Sequence, residues 1–298
     1  MSSATAPHNG ILVAVDGSGC SDDAVRWAAA EAVLRQQKLS IVNIVSPLTD
    51  GWYGAGMFGS PITAEFGAWQ QDEADKIVAD AVRIARDSVD GPDLDISTEV
   101  PLTAVVPTLI DFSKQAAMIV LGSRGMGGVG RLLLGSVSTA LVHHAHCPVA
   151  IIHGPLSEGQ THGPVVVGID GSPASERATA VAFEEASLRH AELVALHAFS
   201  NTEWPEVMPL PWSAFAAEAG ETLAERLAGW QERYPDVVVQ RVVVRDQPVQ
   251  NLLAQAESAQ LVIVGSHGRG GFAGMLLGSV SSAVVHQIQS PVIVARHD

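Results

Sequence analysis

Cysteine is almost absent. Cys20 and Cys147 are the only two in 298 residues, too few for a disulfide framework and not spaced as metal-binding pairs. Both read as small buried hydrophobes, with a redox-sensing thiol at Cys20 as the alternative. Positive charge is also scarce: 17 Lys and Arg stand against 32 Asp and Glu, a formal charge of −15, and only three of the 17 are Lys. A surface of that sign repels nucleic-acid phosphates and anionic lipid, so no nucleic-acid partner is expected. Long apolar runs are missing too. None approaches the roughly 20 residues that span a bilayer, and the opening MSSATAPHNG has neither a basic end nor a hydrophobic stretch. The expectation is a cytoplasmic protein with no membrane insertion. With 47% hydrophobic and 16% charged residues, the chain has ample material to bury, which excludes wholesale disorder. Its length suits two domains of about 150 residues better than one.

Self-similarity supports the division. ILVAVDGS at 11–18 is answered by VVVGIDGS at 165–172, a shift of 154 residues. GSRGMGGVGRLLLGSVSTALVHH (122–144) is answered by GSHGRGGFAGMLLGSVSSAVVHQ (265–287), now shifted by 143, and CPVAIIH (147–153) by SPVIVAR (290–296). Three blocks in the same order establish a duplication. The difference in shift puts an 11-residue insertion in the first copy, most simply in the Gly-rich stretch 50–61. Residues 154–163, GPLSEGQTHG, have linker composition, which gives domains at 1–153 and 164–298.

Within each copy, short apolar runs alternate with segments of helical period. In the first, 11–16, 39–46, 94–100, 117–122 and 148–153 read as strands, mostly buried on both faces. The segments between them read as helices, with Pro107 leaving the start of the third uncertain. In the second copy, Ser172 as N-cap and Pro173 at the first helical position make a strong start signal. Such alternation predicts a parallel sheet covered by helices on both sides. Each half is therefore expected to be a five-stranded α/β sandwich with right-handed crossovers. The last strands, PVAIIH and PVIVAR, are short, apolar and expected at a sheet edge. Unpaired edges invite pairing, expected here between the two copies within one chain, and a homodimer through other surfaces is expected in addition.

Ligands of an open parallel sheet sit beyond the carboxyl ends of its strands, where strand order reverses. There the fourth strand of the first copy delivers Gly122, Gly125, Gly127, Gly128 and Gly130, followed by Gly135-Ser136 at a helix start. The second copy repeats this with Gly265, Gly268, Gly270, Gly271, Gly278 and Ser279. Glycine permits close backbone approach, successive N–H groups can converge on an anion, and a helix N-terminus adds partial positive charge. A phosphate site is the reading. It is not a P-loop, because that motif needs Lys before the Ser and none directly precedes Ser136 or Ser279. Nor is it a dinucleotide fingerprint. Gly125, Gly127 and Gly130 fit G-x-G-x-x-G but follow the fourth strand, and no acidic residue occurs between Gly130 and Glu158.

The spacing G-x2-G-x9-G-[ST], met by Gly122, Gly125, Gly135-Ser136 and by Gly265, Gly268, Gly278-Ser279, together with the V-D-G-S opening, resembles the universal stress protein family. The resemblance covers nearly the whole chain and is closest in arrangement to tandem two-domain members of mycobacteria. It implies a Rossmann-like sheet of the adenine nucleotide α-hydrolase type, with ATP and Mg²⁺ bound in each half. By position, Gly122, Gly125 and Gly135 would shape the first loop. The backbone through Gly127 and Gly128 and the hydroxyl of Ser136 would hold phosphates. Asp16 would face ribose or Mg²⁺, and Ile44 would touch adenine. Gly17, Arg124, Arg131, Val137 and Ser138 complete that site. In the second half the same roles fall to Asp170, Gly171, Ala198, Gly265, His267, Gly268, Gly270, Gly271, Gly278, Ser279, Val280 and Ser281.

Other groupings are weaker. His143, His144 and His146 beside Cys147 suggest zinc, but adjacent helical residues point apart and only His143 is echoed, by His286. Trp52, Tyr53, Trp204 and Trp212 fall in or beside the variable loops and read as loop packing, with adenine lids or partner contacts as alternatives. No nucleophile-elbow pattern occurs, and no catalytic residue is expected. A nucleotide-dependent regulator of stress response or growth, read by a partner protein, is favoured over a slow ATPase. An adenylyl-transferring ligase would need a further acceptor domain, and the repeat consumes both halves.

Overall fold

The computed structural model describes residues 9–47, 61–89, 94–125, 134–199, 212–269 and 277–296. The insertion at 50–60 lies outside these. So do Trp52, Tyr53, Trp204, Gly127, Gly128, Arg131, Gly270 and Gly271. The chain divides into two compact units, Met1–Ile152 and His153–Asp298.

The first unit runs β1 (Ile11–Ala14), α1 (Gly19–Leu34), β2 (Leu39–Val42), α2 (Pro61–Asp87), β3 (Ile96–Glu99), α3 (Val105–Phe112), β4 (Met118–Gly122), α4 (Ser136–His144) and β5 (Val149–Ile152). Its strands lie in the order β3-β2-β1-β4-β5, all parallel. The second unit repeats this with β6 (Val165–Gly168), α5 (Pro173–Leu188), β7 (Leu193–Phe199), α6 (Trp212–Arg233), β8 (Val239–Arg245), α7 (Pro248–Ala256), β9 (Leu261–Gly265), α8 (Ser279–Gln287) and β10 (Val292–Ala295). The order is β8-β7-β6-β9-β10, again all parallel. Each unit is the five-stranded α/β sandwich that the alternation predicts, and its order reverses between the first and fourth strands.

Burial on both faces explains the apolar strands: Ile11, Leu12 and Val13 have no exposed surface, nor do Val165, Val166 and Val167. Helix α1 reaches the sheet with a small-residue face of Ala24, Ala28, Ala29 and Ala32, all buried. In α5 the larger Phe183 is also buried, stacked against Trp230 of α6 with centroids 6.0 Å apart.

The strands are shorter than their apolar runs. β2 stops at Val42, and Val45 beyond it makes only an isolated bridge to Leu102. Ile44 therefore follows the strand instead of ending it. The start of α3 accommodates Pro107 because the helix begins at Val105, and the missing N–H falls among those that no helix start can pair. Ser172 caps α5 as expected, accepting from the Ser175 N–H at 3.2 Å, with Pro173 in the first turn. Its counterpart Ser18 caps α1 through the Ser21 N–H.

Both first helices end in the same way. Gln36 and His190 adopt φ of +51° and +50°. The following N–H groups, of Gln37 and Ala191, bond back to Ala32 O at 2.8 Å and Ala186 O at 2.9 Å, the pattern of a Schellman cap. Just before each end lies a buried ion pair, Glu31 with Arg35 and Glu185 with Arg189, whose glutamates have no exposed surface. Residues 154–163 do not trail freely. Gln160 Nε2 donates to Ser290 Oγ at 2.9 Å, and Gln260 Nε2 donates to Gly163 O at 2.6 Å, holding this segment on the second unit.

Candidate functional site

The strand reversal leaves a crevice between the first and fourth strands of each unit, and the two repeated motifs enter it from opposite sides. From the first strand comes an Asp-Gly-Ser turn. Asp16 Oδ1 accepts from the Ser18 N–H at 3.1 Å and from Ser18 Oγ at 2.6 Å. Asp170 Oδ1 accepts from the Ser172 N–H at 2.9 Å. Between them Gly17 and Gly171 take φ of +82° and +78°, where a side chain is strained. Neither aspartate is the helix cap, since the serines fill that role; each carboxylate instead orders the turn and faces the glycine loop.

The loop meets it closely. Arg269 N–H donates to Asp170 Oδ2 at 3.1 Å. A Cβ on Gly268 would lie 2.6 Å from that oxygen, and one on Gly125 would collide with Asp16 Oδ2. The first glycine of each motif is equally confined, against the first turn of α1 in one unit and of α5 in the other. A Cβ on Gly122 would stand 2.7 Å from Cys20 O, and one on Gly265 2.7 Å from Ala174 O. None of these four has positive φ. The motif's first two glycines are thus needed for close approach, not for backbone freedom.

Beyond each loop a helix points its N-terminus at the crevice. Gly135 and Gly278 are extended N-cap residues without a side-chain cap, at the starts of α4 and α8. Their N–H groups donate to Ser123 O at 2.8 Å and Ser266 O at 2.7 Å, which ties both ends of the loop together. Ser138 Oγ and Ser281 Oγ donate back to Gly122 O at 2.8 Å and Gly265 O at 2.5 Å. These two hydroxyls brace the loop. Ser136 at the first helical position is exposed, and Ser279 is at the same place in α8.

In the second unit these groups enclose a cavity of about 470 Å³, within the range of small-molecule sites. Asp170, Ala198, Gly265, His267, Gly268, Gly278, Ser279, Val280 and Ser281 all line it. Gly171 does not; its Cα faces the Arg226 guanidinium. The lining also includes residues that the sequence reading missed. His197 donates from Nδ1 to Ile169 O at 2.7 Å, and in the first unit Asn43 Nδ2 donates to Val15 O, also at 2.7 Å. The repeat held a signal here, because each polar residue interrupts an apolar run at the same spacing from the strand-end Asp. Phe199, Asp246, Gln247, Pro248 and Leu252 form a further wall.

The copies differ just before the second glycine. Ser266 Oγ lies 3.0 Å from His267 Nδ1, whereas Arg124 replaces the histidine in the first unit and the buried Ser123 hydroxyl has no partner among the described residues. Ser123→Ala should therefore stabilise the first unit by about 1 kcal/mol, while Ser266→Ala should destabilise the second by about as much. Thermal melts of the two variants check the opposite signs.

Among the described residues no group of three or more His, Cys, Asp or Glu converges on a metal position. His143 and His144 lie edge to face with centroids 6.2 Å apart. No helix among those residues is long and apolar enough to cross a membrane.

Two parallel doubly wound units, each with a strand-end Asp facing a glycine loop at its switch point, define a tandem α/β protein with the same framework in both halves. The profile of the Universal stress protein family matches the chain twice, over residues 8–153 and 162–296, and the chain belongs to that family. A universal stress protein of Mycobacterium tuberculosis strain H37Rv is 51% identical over 293 residues, covering 97% of each chain. A second from the same strain is 48% identical over 291 residues, covering 96% of each. The crystal structure of a universal stress protein from Archaeoglobus fulgidus shares the fold, with a TM-score of 0.71, 20% identity and 97% coverage of both chains.

Proposed function

We propose that each unit binds one ATP with Mg²⁺ and that occupancy, not turnover, is the output, read by a partner protein that controls stress response or growth. The observation that carries this reading is the repeated Asp and glycine-loop pairing, Asp16 with Gly125 and Asp170 with Gly268. Two distant segments approach too closely for a methyl group in both copies, which is more than a turn needs. The donors suit the ligand. Uncapped N–H groups at the starts of α4 and α8 favour phosphate, and the second cavity adds an apolar wall for a base. Mg²⁺ characteristically takes one or two carboxylates plus nucleotide phosphates, and Asp16 and Asp170 would supply one each. Isothermal titration of stripped protein should give two ATP equivalents per chain in the presence of Mg²⁺. Absence of ATP heat, or equal preference for GTP, would overturn the reading.

A regulator is favoured over an enzyme because the cradle is repeated more faithfully than any cationic group near it: Arg124 stands where the second copy has His267. Hydrolysis slower than roughly one turnover per minute is expected, far below the 1–10³ s⁻¹ of ordinary enzymes. Turnover of several per second, lost in Ser136→Ala and Ser279→Ala with affinity preserved, would make the protein an ATPase. Light scattering at micromolar concentration should give a homodimer mass, and a monomer mass would remove that part of the proposal.

A further inference from the structure

The second unit carries a backbone feature that the first lacks. Asp246 and Gln247, joining β8 to α7, have φ of +53° and +54°. Two adjacent non-glycine residues in the left-handed region are uncommon and store free energy, so the surrounding structure must hold them there. The Asp246 N–H donates to Phe199 O at 2.8 Å. Asn251 Nδ2 donates to both carbonyls of the turn, Asp246 O at 3.2 Å and Gln247 O at 3.0 Å. Pro248 then opens α7. In the first unit the corresponding connection, 100–104, has no left-handed residue, and Ala104 is extended at φ −72°.

The strained turn forms part of the cavity wall. Strand order places it beyond β8 while the glycine loop lies beyond β9, three strand spacings away across β7 and β6. At about 4.8 Å per spacing that separates them by roughly 14 Å, a span suited to a nucleotide laid with its phosphates at the loop and its base at the turn. Around the turn the wall is apolar, with Ala198, Phe199, Pro248 and Leu252; Asp246 and Gln247 add a carboxylate acceptor and an amide with both donor and acceptor. A few fixed polar groups in an apolar wall are what orients a heteroaromatic ligand.

Building on the ATP reading, we propose that the Asp246–Gln247 turn is the base-recognition element of the second site. The test uses the full chain carrying Gly125→Ala, which closes the first site. Adenosine, ATP and inorganic tripolyphosphate are titrated into this parent, into Gln247→Ala, and into Asp246→Gly/Gln247→Gly. Adenosine and ATP should weaken about tenfold in both variants, with tripolyphosphate unchanged. The double glycine variant should melt higher than the parent, because glycine relieves the left-handed backbone. Unchanged adenosine affinity with ATP binding intact would overturn this proposal alone. Parallel loss of tripolyphosphate would also overturn it, by showing general damage to the site. A parent that binds no ATP would remove the functional reading and this inference with it.

Discussion

Gly125→Ala and Gly268→Ala should each abolish nucleotide binding in the unit that carries the change, lowering the stoichiometry of a calorimetric titration from two to one. The added methyl would collide with Asp16 Oδ2 in the first unit and lie 2.6 Å from Asp170 Oδ2 in the second. Either the carboxylate or the loop must move. Overpacking of this kind costs about 1–3 kcal/mol, and where the displaced groups are those proposed to hold phosphate and Mg²⁺, the loss reaches on the order of a hundredfold in affinity. Melting temperature should fall less than for a clash with backbone, because the obstructing atom ends a side chain. Gly122→Ala and Gly265→Ala should behave differently. Their methyl groups meet the backbone of Cys20 and Ala174 in the first turns of α1 and α5, so these variants should lose stability as well as binding. Full two-site binding by Gly125→Ala and Gly268→Ala would remove the Asp and loop pairing from the site.

The second large effect is on folding. Arg35→Ala and Arg189→Ala should destabilise their units by about 3–5 kcal/mol, because each removes an ionic partner from a carboxylate with no exposed surface. Replacing both members of a pair with apolar residues of similar volume, as in Glu185→Leu/Arg189→Met, should come close to neutral, since no buried charge is then stranded. Urea unfolding of the single and double variants separates the two cases. A single variant within 1 kcal/mol of the parent would show that solvent reaches these glutamates.

These pairs illustrate what a linear reading passes over. Glu31 with Arg35 and Glu185 with Arg189 have the (i, i+4) spacing of a common exposed helix pair; only packing against the rest of the unit decides that the glutamate is sealed. His197 and Asn43 were overlooked for a related reason. A polar residue in an apolar strand is ambiguous until its partner appears, and the partners Ile169 O and Val15 O are 28 residues away in each case. The left-handed turn at Asp246 and Gln247 has no glycine or asparagine to announce it. It is held by Asn251 and Phe199 and not by its own preference.

The glycine spacing was legible, and so was close backbone approach as a reason for it; only the structure shows which atoms are approached at Gly122, Gly125, Gly265 and Gly268, and that positive φ is needed instead at Gly17 and Gly171.

What the sequence determined by itself was the duplication, the α/β alternation and the repeated Asp, glycine and serine positions, because periodicity and spacing are local properties that burial on two faces and tight turns impose directly on residue type. Tertiary structure decided the order β3-β2-β1-β4-β5 and its repeat, which side chains are sealed from water, and which wall of the second cavity is strained. Those depend on contacts between segments far apart in the chain, where the same residue costs or contributes free energy according to what it is packed against.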